Sequence, residues 1–148
     1  MQAQMLAPAA ALVVWTLVMS LWMMTTRFGA FGKAGVDLSA AAPGGRGGSL
    51  NGVLPDAVMW KAHNLDHLME QPTIFYPTVV ILALSGAGAS DVLLAWAYVA
   101  LRIVHSLWQA IVNRIPVRFA LFFGSTLCLI ALALHAAYLT LFATGAVS

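Results

Sequence analysis

The stretch WKAHNLDHLMEQP, residues 60–72, decides the fold because it joins a dense run of ionisable side chains to an apolar run. Asp56 is a candidate N-cap before it, and a helix over residues 56–85 would be about 45 Å long at about 1.5 Å per residue. That length exceeds the roughly 30 Å of a bilayer's hydrocarbon core, so the polar first half should project into the headgroups or the cytosol. Pro72 and Pro77 should bend the helix near this boundary.

The composition predicts an integral membrane protein. Hydrophobic residues make up 61% of the 148 and charged residues 8%, with a mean hydropathy of +0.89, whereas a soluble domain has about 45–50% apolar residues. So few ionisable groups suffice only where lipid covers most of the surface. We expect one compact domain over residues 1–148. Nucleic acid is not an expected partner, because the basic residues form no long run.

Three further apolar stretches have the length of membrane spans. The first, residues 5–24, carries no charge and is interpreted as a retained helix rather than a signal peptide. The others are residues 92–112 and 117–143. Residues 27–55, rich in Gly, Ala and Ser, are expected to form a flexible loop. The sequence therefore predicts an all-α, four-helix integral membrane bundle.

The distribution of basic residues predicts how the bundle is oriented, because cytoplasmic loops favour Lys and Arg. Basic residues lie between spans one and two and between spans three and four, and the remaining turn and both ends have none. Both termini should then face away from the cytosol. The basic residues that set this orientation are Arg27, Lys33, Arg46, Lys61, Arg114 and Arg118.

Smaller features of the third and fourth spans carry further expectations. Ser90 or Asp91 is expected to cap the third helix. His135 lies well inside the fourth span with no charged residue near it in sequence, and is interpreted as a helix-packing group. Cys128 is the single cysteine, so it is expected to pack as a small hydrophobe.

Two helices carry a polar face. At 100° per residue, one face on the second helix covers about 100°, and one on the third covers about 60°. Converging polar faces indicate a site between the helices. The second-helix face consists of His63, Asp66, His67 and Glu70, and the third-helix face of Tyr98, Arg102, His105 and Gln109.

Structural interpretations of these faces stay open beside a binding site. The second-helix face could be the solvated end of a long helix, with charge pairs worth only tenths of a kcal/mol. Arg102 inside a span costs from ~2.5 kcal/mol upward unless it faces the bundle interior, water or a carboxylate, and an ion pair with Glu70 is the structural alternative. His105 could hydrogen-bond a neighbouring helix or contact a ligand.

Three segments together resemble the MAPEG family, the membrane-associated proteins in eicosanoid and glutathione metabolism, and in particular its bacterial members. EQPTIFY at residues 70–76 is similar to the family's Glu-x-Pro-x-x-Phe-Tyr segment, and ALRIVH at 100–105 to its Arg-x-x-His signature. NRIPVR at 113–118 resembles its basic entry to the fourth helix. The match covers roughly residues 54–138 and retains the order and spacing of the segments.

The resemblance implies a homotrimer in the bacterial inner membrane, with glutathione bound between neighbouring subunits near the cytoplasmic face. Guanidinium groups would hold the two carboxylates of glutathione, and Glu70 its ammonium, through charge-assisted hydrogen bonds. The positions that match the family's glutathione contacts are Glu70, Arg102, His105 and Arg118, and Gln109 and His67 are assigned to the same site.

The implied activity is that of a glutathione transferase or peroxidase. Its second substrate would be an apolar electrophile or a lipid hydroperoxide that enters from the bilayer. A free thiol has a pKa near 8.5, so Arg118, helped by Arg102, would be the catalytic groups that stabilise the thiolate. No protein nucleophile is then required.

Departures from the family pattern favour a second hypothesis, a non-catalytic binding or structural protein on the same scaffold. Glutathione-using members usually carry Arg-Asn where this chain has Asp66 and His67. Gln109 stands in place of a tyrosine, and Phe119 in place of a serine found in some catalytic relatives.

A metal site is a third hypothesis. His63, His67 and Glu70, with Asp66 beside them, form a helix face of imidazole and carboxylate groups that a transition metal could use.

Overall fold

The computed structural model describes residues 1–40 and 43–143. Within these ranges the chain is built of α-helices, two short 3-10 helices (Leu38–Ala40 and Gly47–Leu50) and turns, with no strand. Four stretches are long and apolar enough to cross a membrane, the second of them formed by two helices in succession. The predicted all-α bundle of four spans is confirmed, and the sidedness of the termini stays a prediction. The α-helices are α1 (Gln2–Ala34), α2 (Asp56–Glu70), α3 (Pro72–Ser85), α4 (Ala89–Ile111) and α5 (Ile115–Leu141).

Helix α1 is longer than predicted, so the expected loop over residues 27–55 is wrong in its first part. The helix continues through Arg27 to Ala34 and ends where Gly35 adopts φ 63 and donates its N–H to Phe31 O. A left-handed residue after the last turn is a common helix stop, and glycine adopts it without steric cost. The extension is stabilised by packing, since Ala30 is buried in a cluster with Leu54 and Met59.

The second span is interrupted where the prolines predict. Pro72 begins α3 and has no N–H to donate, while Gln71 keeps helical dihedrals, φ −61 and ψ −38, so the two helices follow one another directly. The Gln71 side chain donates to Thr126 Oγ1 at 2.8 Å and accepts from Tyr98 Oη at 3.4 Å. The interruption thus lies where α3, α4 and α5 meet. Pro77 lies inside α3 without ending it.

The bundle core combines aromatic packing with one buried polar junction. Phe75 and Tyr98 are fully buried and stack with ring centroids 4.2 Å apart, which joins α3 to α4. Ser106 Oγ accepts hydrogen bonds from Trp15 Nε1 at 3.1 Å and from Asn64 Nδ2 at 2.8 Å. These three side chains bring α1, α2 and α4 together. Cys128, as predicted, packs half-buried against the core.

The contacts of Asp91 correct the predicted cap of α4 and identify the partner of His135. The N-cap of α4 is Gly88. Asp91 is the third residue of the helix, and its carboxylate accepts a hydrogen bond from the Gly88 N–H at 2.7 Å. Its other carboxylate oxygen lies 2.7 Å from His135 Nδ1. His135 is thus a helix-packing group, as predicted, but its partner is a charged residue of another helix, because antiparallel packing places the start of α4 beside the end of α5.

Candidate functional site

A cavity of about 180 Å³ lies between the end of α2, the second half of α4 and the start of α5. It brings together three of the predicted site residues with an apolar wall. A larger cavity of about 670 Å³ lies between the end of α1 and residues 52–58, but Lys33 is its one ionisable lining residue. We take the smaller cavity as the candidate site because one arginine and two histidines line it. Its lining residues are His67, His105, Ile115, Arg118, Phe119 and Phe122.

Arg118 is held at the cavity by the turn between α4 and α5. Trp108 O accepts the N–H groups of Val112 at 2.9 Å and Asn113 at 2.7 Å. Asn113 has φ 55, a left-handed conformation that asparagine adopts more readily than most residues. Its side-chain oxygen accepts a hydrogen bond from Arg118 Nη1 at 2.7 Å. An arginine has five N–H donors, so this contact orients the guanidinium and leaves other donors for a ligand.

His67 lies in the last turn of α2 and contacts a carboxylate on its own helix. Its Nδ1 is 3.1 Å from Glu70 Oε2, and the exposed fractions of the two side chains are 37% and 65%. The ring also meets that of His105 edge to face, with centroids 6.0 Å apart and planes at 82°. Glu70 itself does not line the cavity. It lies beside the cavity and touches it through His67.

Arg102 is buried behind the cavity rather than exposed in it. Only 1% of its surface is accessible, and its Nη2 donates to the backbone oxygen of His67 at 2.6 Å. The guanidinium also lies 5.8 Å from the centre of the Phe122 ring, within the range of a cation–π interaction. The structural alternative, an ion pair of Arg102 with Glu70, is not formed within the described ranges, where the Glu70 carboxylate lies against His67 Nδ1. Arg102 positions the last turn of α2.

The third-helix face points inward as predicted, but only part of it reaches the cavity. Tyr98, Arg102, His105 and Gln109 are all buried, and His105 alone of the four lines the cavity. Three buried polar atoms near this face, Nε and Nη1 of Arg102 and Oε1 of Gln109, have no hydrogen-bond partner in the part of the chain that the structure describes. This face therefore carries buried hydrogen-bonding groups that the described part of a single chain leaves unpaired.

The second-helix face does not gather into a metal site. His63 Nε2 lies 3.1 Å from Asn51 Oδ1, whereas His67 contacts Glu70. Asp66 lines a different cavity, of about 170 Å³, together with His63. Across residues 1–40 and 43–143 no three His, Cys, Asp or Glu side chains are grouped as metal ligands would be. The geometry gives the metal hypothesis no support.

Part of the apolar wall of the cavity was not predicted from the sequence. Ile115 and Phe122 line the cavity, and neither was predicted. Phe122 follows Arg118 by four residues on one helix, so it falls on the same face, and that spacing could have identified it. Ile115 begins α5 and had no comparable signal.

The fold and the site define a class of protein: a helical membrane protein of four spans with a basic and aromatic cavity at one end of the bundle. The model of the MAPEG family matches residues 5–138, nearly the whole chain, and the chain therefore belongs to the MAPEG family. No curated protein and no solved structure matches it significantly.

Proposed function

We propose that the protein is a glutathione-dependent membrane enzyme, a transferase or peroxidase that acts on apolar electrophiles or lipid hydroperoxides. The observation that carries the proposal is the convergence of Arg118, His67 and His105 on one cavity in a member of the MAPEG family. Glutathione is an anionic tripeptide, and a guanidinium beside imidazole groups suits its carboxylates and its thiolate.

The wall of the cavity supports an apolar second substrate. Ile115 and Phe119 line it and keep 67% and 64% of their surface exposed, so the cavity opens toward the side that lipid would cover. An apolar electrophile could then arrive from the bilayer while glutathione arrives from the polar end. Arg118 would stabilise the thiolate that attacks it.

A second copy of the chain would complete the site. A cavity of about 180 Å³ is smaller than the roughly 300–1,000 Å³ of ordinary small-molecule sites. Glu70, at 65% side-chain exposure, is placed to meet a ligand or a neighbouring chain. We therefore propose the homotrimer implied by the family resemblance, in a bacterial inner membrane with the Arg118 end toward the cytosol.

We propose fewer direct contacts of glutathione than the sequence alone indicated. Arg118, His67 and His105 are proposed as direct contacts of glutathione, with Glu70 at the rim. Arg102 would act through the His67 carbonyl that it holds. Gln109, buried and off the cavity, would reach the ligand only if the assembled protein opens a path to it.

One observation favours the non-catalytic alternative. Phe119 lines the cavity and stacks on Phe123, at a position where some catalytic relatives carry a serine. Among the described residues of this chain, none that lines the cavity carries a hydroxyl group, so the groups it offers for activating the thiol are Arg118 and the two histidines.

A turnover assay separates the two proposals. We expect protein in lipid nanodiscs to conjugate glutathione to an aryl halide, or to reduce a lipid hydroperoxide, faster than empty nanodiscs. If it binds glutathione but neither reaction exceeds the blank, the enzymatic proposal fails and the binding protein remains.

A further inference from the structure

We infer that His67 is the base that takes the proton from the glutathione thiol, and that Glu70 orients it. This inference rests on the proposed function, because it assigns a role within the same site. It gives a chemical role to His67, a residue that departs from the family pattern.

The position of Glu70 favours one nitrogen of His67 as the one that accepts a proton. Nδ1 lies 3.1 Å from Glu70 Oε2, and a carboxylate at that distance, which can only accept a hydrogen bond, favours the tautomer with the ring proton on Nδ1. In the neutral ring the other nitrogen, Nε2, then has a lone pair. Within the described residues Nε2 has no hydrogen-bond partner, and the ring lines the cavity. A carboxylate that fixes the tautomer of a histidine is the usual arrangement of a general base.

The groups around His67 favour the transfer. His105 on α4 meets its ring edge to face, and Arg118 on α5 lines the same cavity. Arg102 on α4 holds the backbone oxygen of His67, which fixes the last turn of α2. Glu70 is the acidic group in contact with the ring. Arg118, the guanidinium that lines the cavity, would stabilise the thiolate once it forms.

The reaction balances without any further reagent. The S–H bond of glutathione breaks, its proton passes to His67 Nε2, and the electron pair stays on sulfur. The thiolate forms an S–C bond with an aryl halide, and the halide leaves with the former C–halogen electron pair. The imidazolium then releases its proton to water, so the products are the thioether, the halide ion and one proton.

A purely structural contact is the competing explanation. An exposed pair three residues apart on a helix contributes only about 0.2–0.5 kcal/mol, and many such pairs have no function. The location distinguishes the two explanations, because His67 faces the same cavity as Arg118 while His63, one turn earlier, contacts Asn51 instead. His63 therefore supplies a matched control on the same helix.

The test is the pH dependence of turnover in His67→Asn, which introduces the residue usual in glutathione-using relatives. A thiol with a pKa near 8.5 is about 3% ionised at neutral pH, so the base can contribute at most about 30-fold. We expect kcat for the aryl halide at neutral pH to fall about 10- to 30-fold, with the deficit closing as the pH rises past about 8.5. Glutathione affinity, measured by calorimetry, should fall much less than kcat, because asparagine can keep a polar contact with the tripeptide. His63→Asn should keep the wild-type kcat and pH profile.

Each other outcome has a definite meaning. A His67→Asn protein that binds glutathione and keeps the wild-type kcat and pH profile overturns the role of His67 and leaves the proposed function intact. Loss of glutathione binding in both His67→Asn and His67→Gln also overturns it, since binding alone would then explain the effect of His67 on turnover. Wild-type protein that binds no glutathione overturns the proposed function, and the inference with it.

Discussion

Arg118→Ala is expected to lower kcat for glutathione conjugation at neutral pH by up to about 30-fold, because a thiol with a pKa near 8.5 is only about 3% ionised once no guanidinium stabilises the thiolate. Arg118 is the guanidinium that lines the cavity, and Asn113 holds it there through a 2.7 Å hydrogen bond. A lysine replacement should recover only part of the rate, because an ammonium lacks the planar fork of donors. Glutathione affinity should fall as well, since a carboxylate contact is lost.

Steady-state kinetics in nanodiscs checks this expectation, with Arg114→Ala as the control. Arg114 lies one turn earlier, is exposed, and contacts Trp108 through its backbone oxygen, which the substitution leaves in place. It should therefore keep wild-type kinetics. Equal losses in both variants would mean that the turn requires positive charge in general, and would contradict a specific role for Arg118.

Asp91→Ala is expected to lower the free energy of unfolding by about 2 kcal/mol. Loss of its hydrogen bond to the Gly88 N–H removes a helix-start contact worth about 1 kcal/mol. Loss of the contact with His135 Nδ1 removes a hydrogen bond between α4 and α5, worth about 1 kcal/mol where one partner stays partly exposed. The carboxylate is 4% exposed, so water cannot replace it fully.

Unfolding in mixed micelles measures this change, and Ser90→Ala is the control. Ser90 is the exposed neighbour of Asp91 in the first turn of α4. Its removal should change the free energy of unfolding by less than about 0.5 kcal/mol. If Asp91→Ala has no larger effect than Ser90→Ala, the pair with His135 does not hold α4 and α5 together. Glutathione turnover should survive in both variants, because the pair lies at the opposite end of α4 from the cavity.

The spans could be predicted from the sequence because length and hydropathy determine them. The second span, with its polar first half, followed from the charges of residues 60–72, although the structure divides it into α2 and α3. The end of α1 could not be predicted in this way. Residues after Met24 become less apolar, yet the helix continues because Ala30 packs against Leu54 and Met59, a contact between distant parts of the chain.

Helix periodicity predicted which residues share a face but not which groups become partners. The polar face of α4 is buried as expected, and its His105 lines the cavity with His67 and Arg118. Arg102, however, contacts a backbone oxygen, and a backbone acceptor has no signature in the sequence. Asp91 and His135 are 44 positions apart, so their contact depends on how α4 and α5 pack.

Calorimetric titration of glutathione into the wild-type protein in nanodiscs tests the central claim most directly. The account predicts saturable binding of the tripeptide that weakens with added salt, because charged groups hold it. Absence of any saturable heat, under conditions where the protein remains folded and assembled, would contradict the proposal that the cavity at Arg118 is a glutathione site.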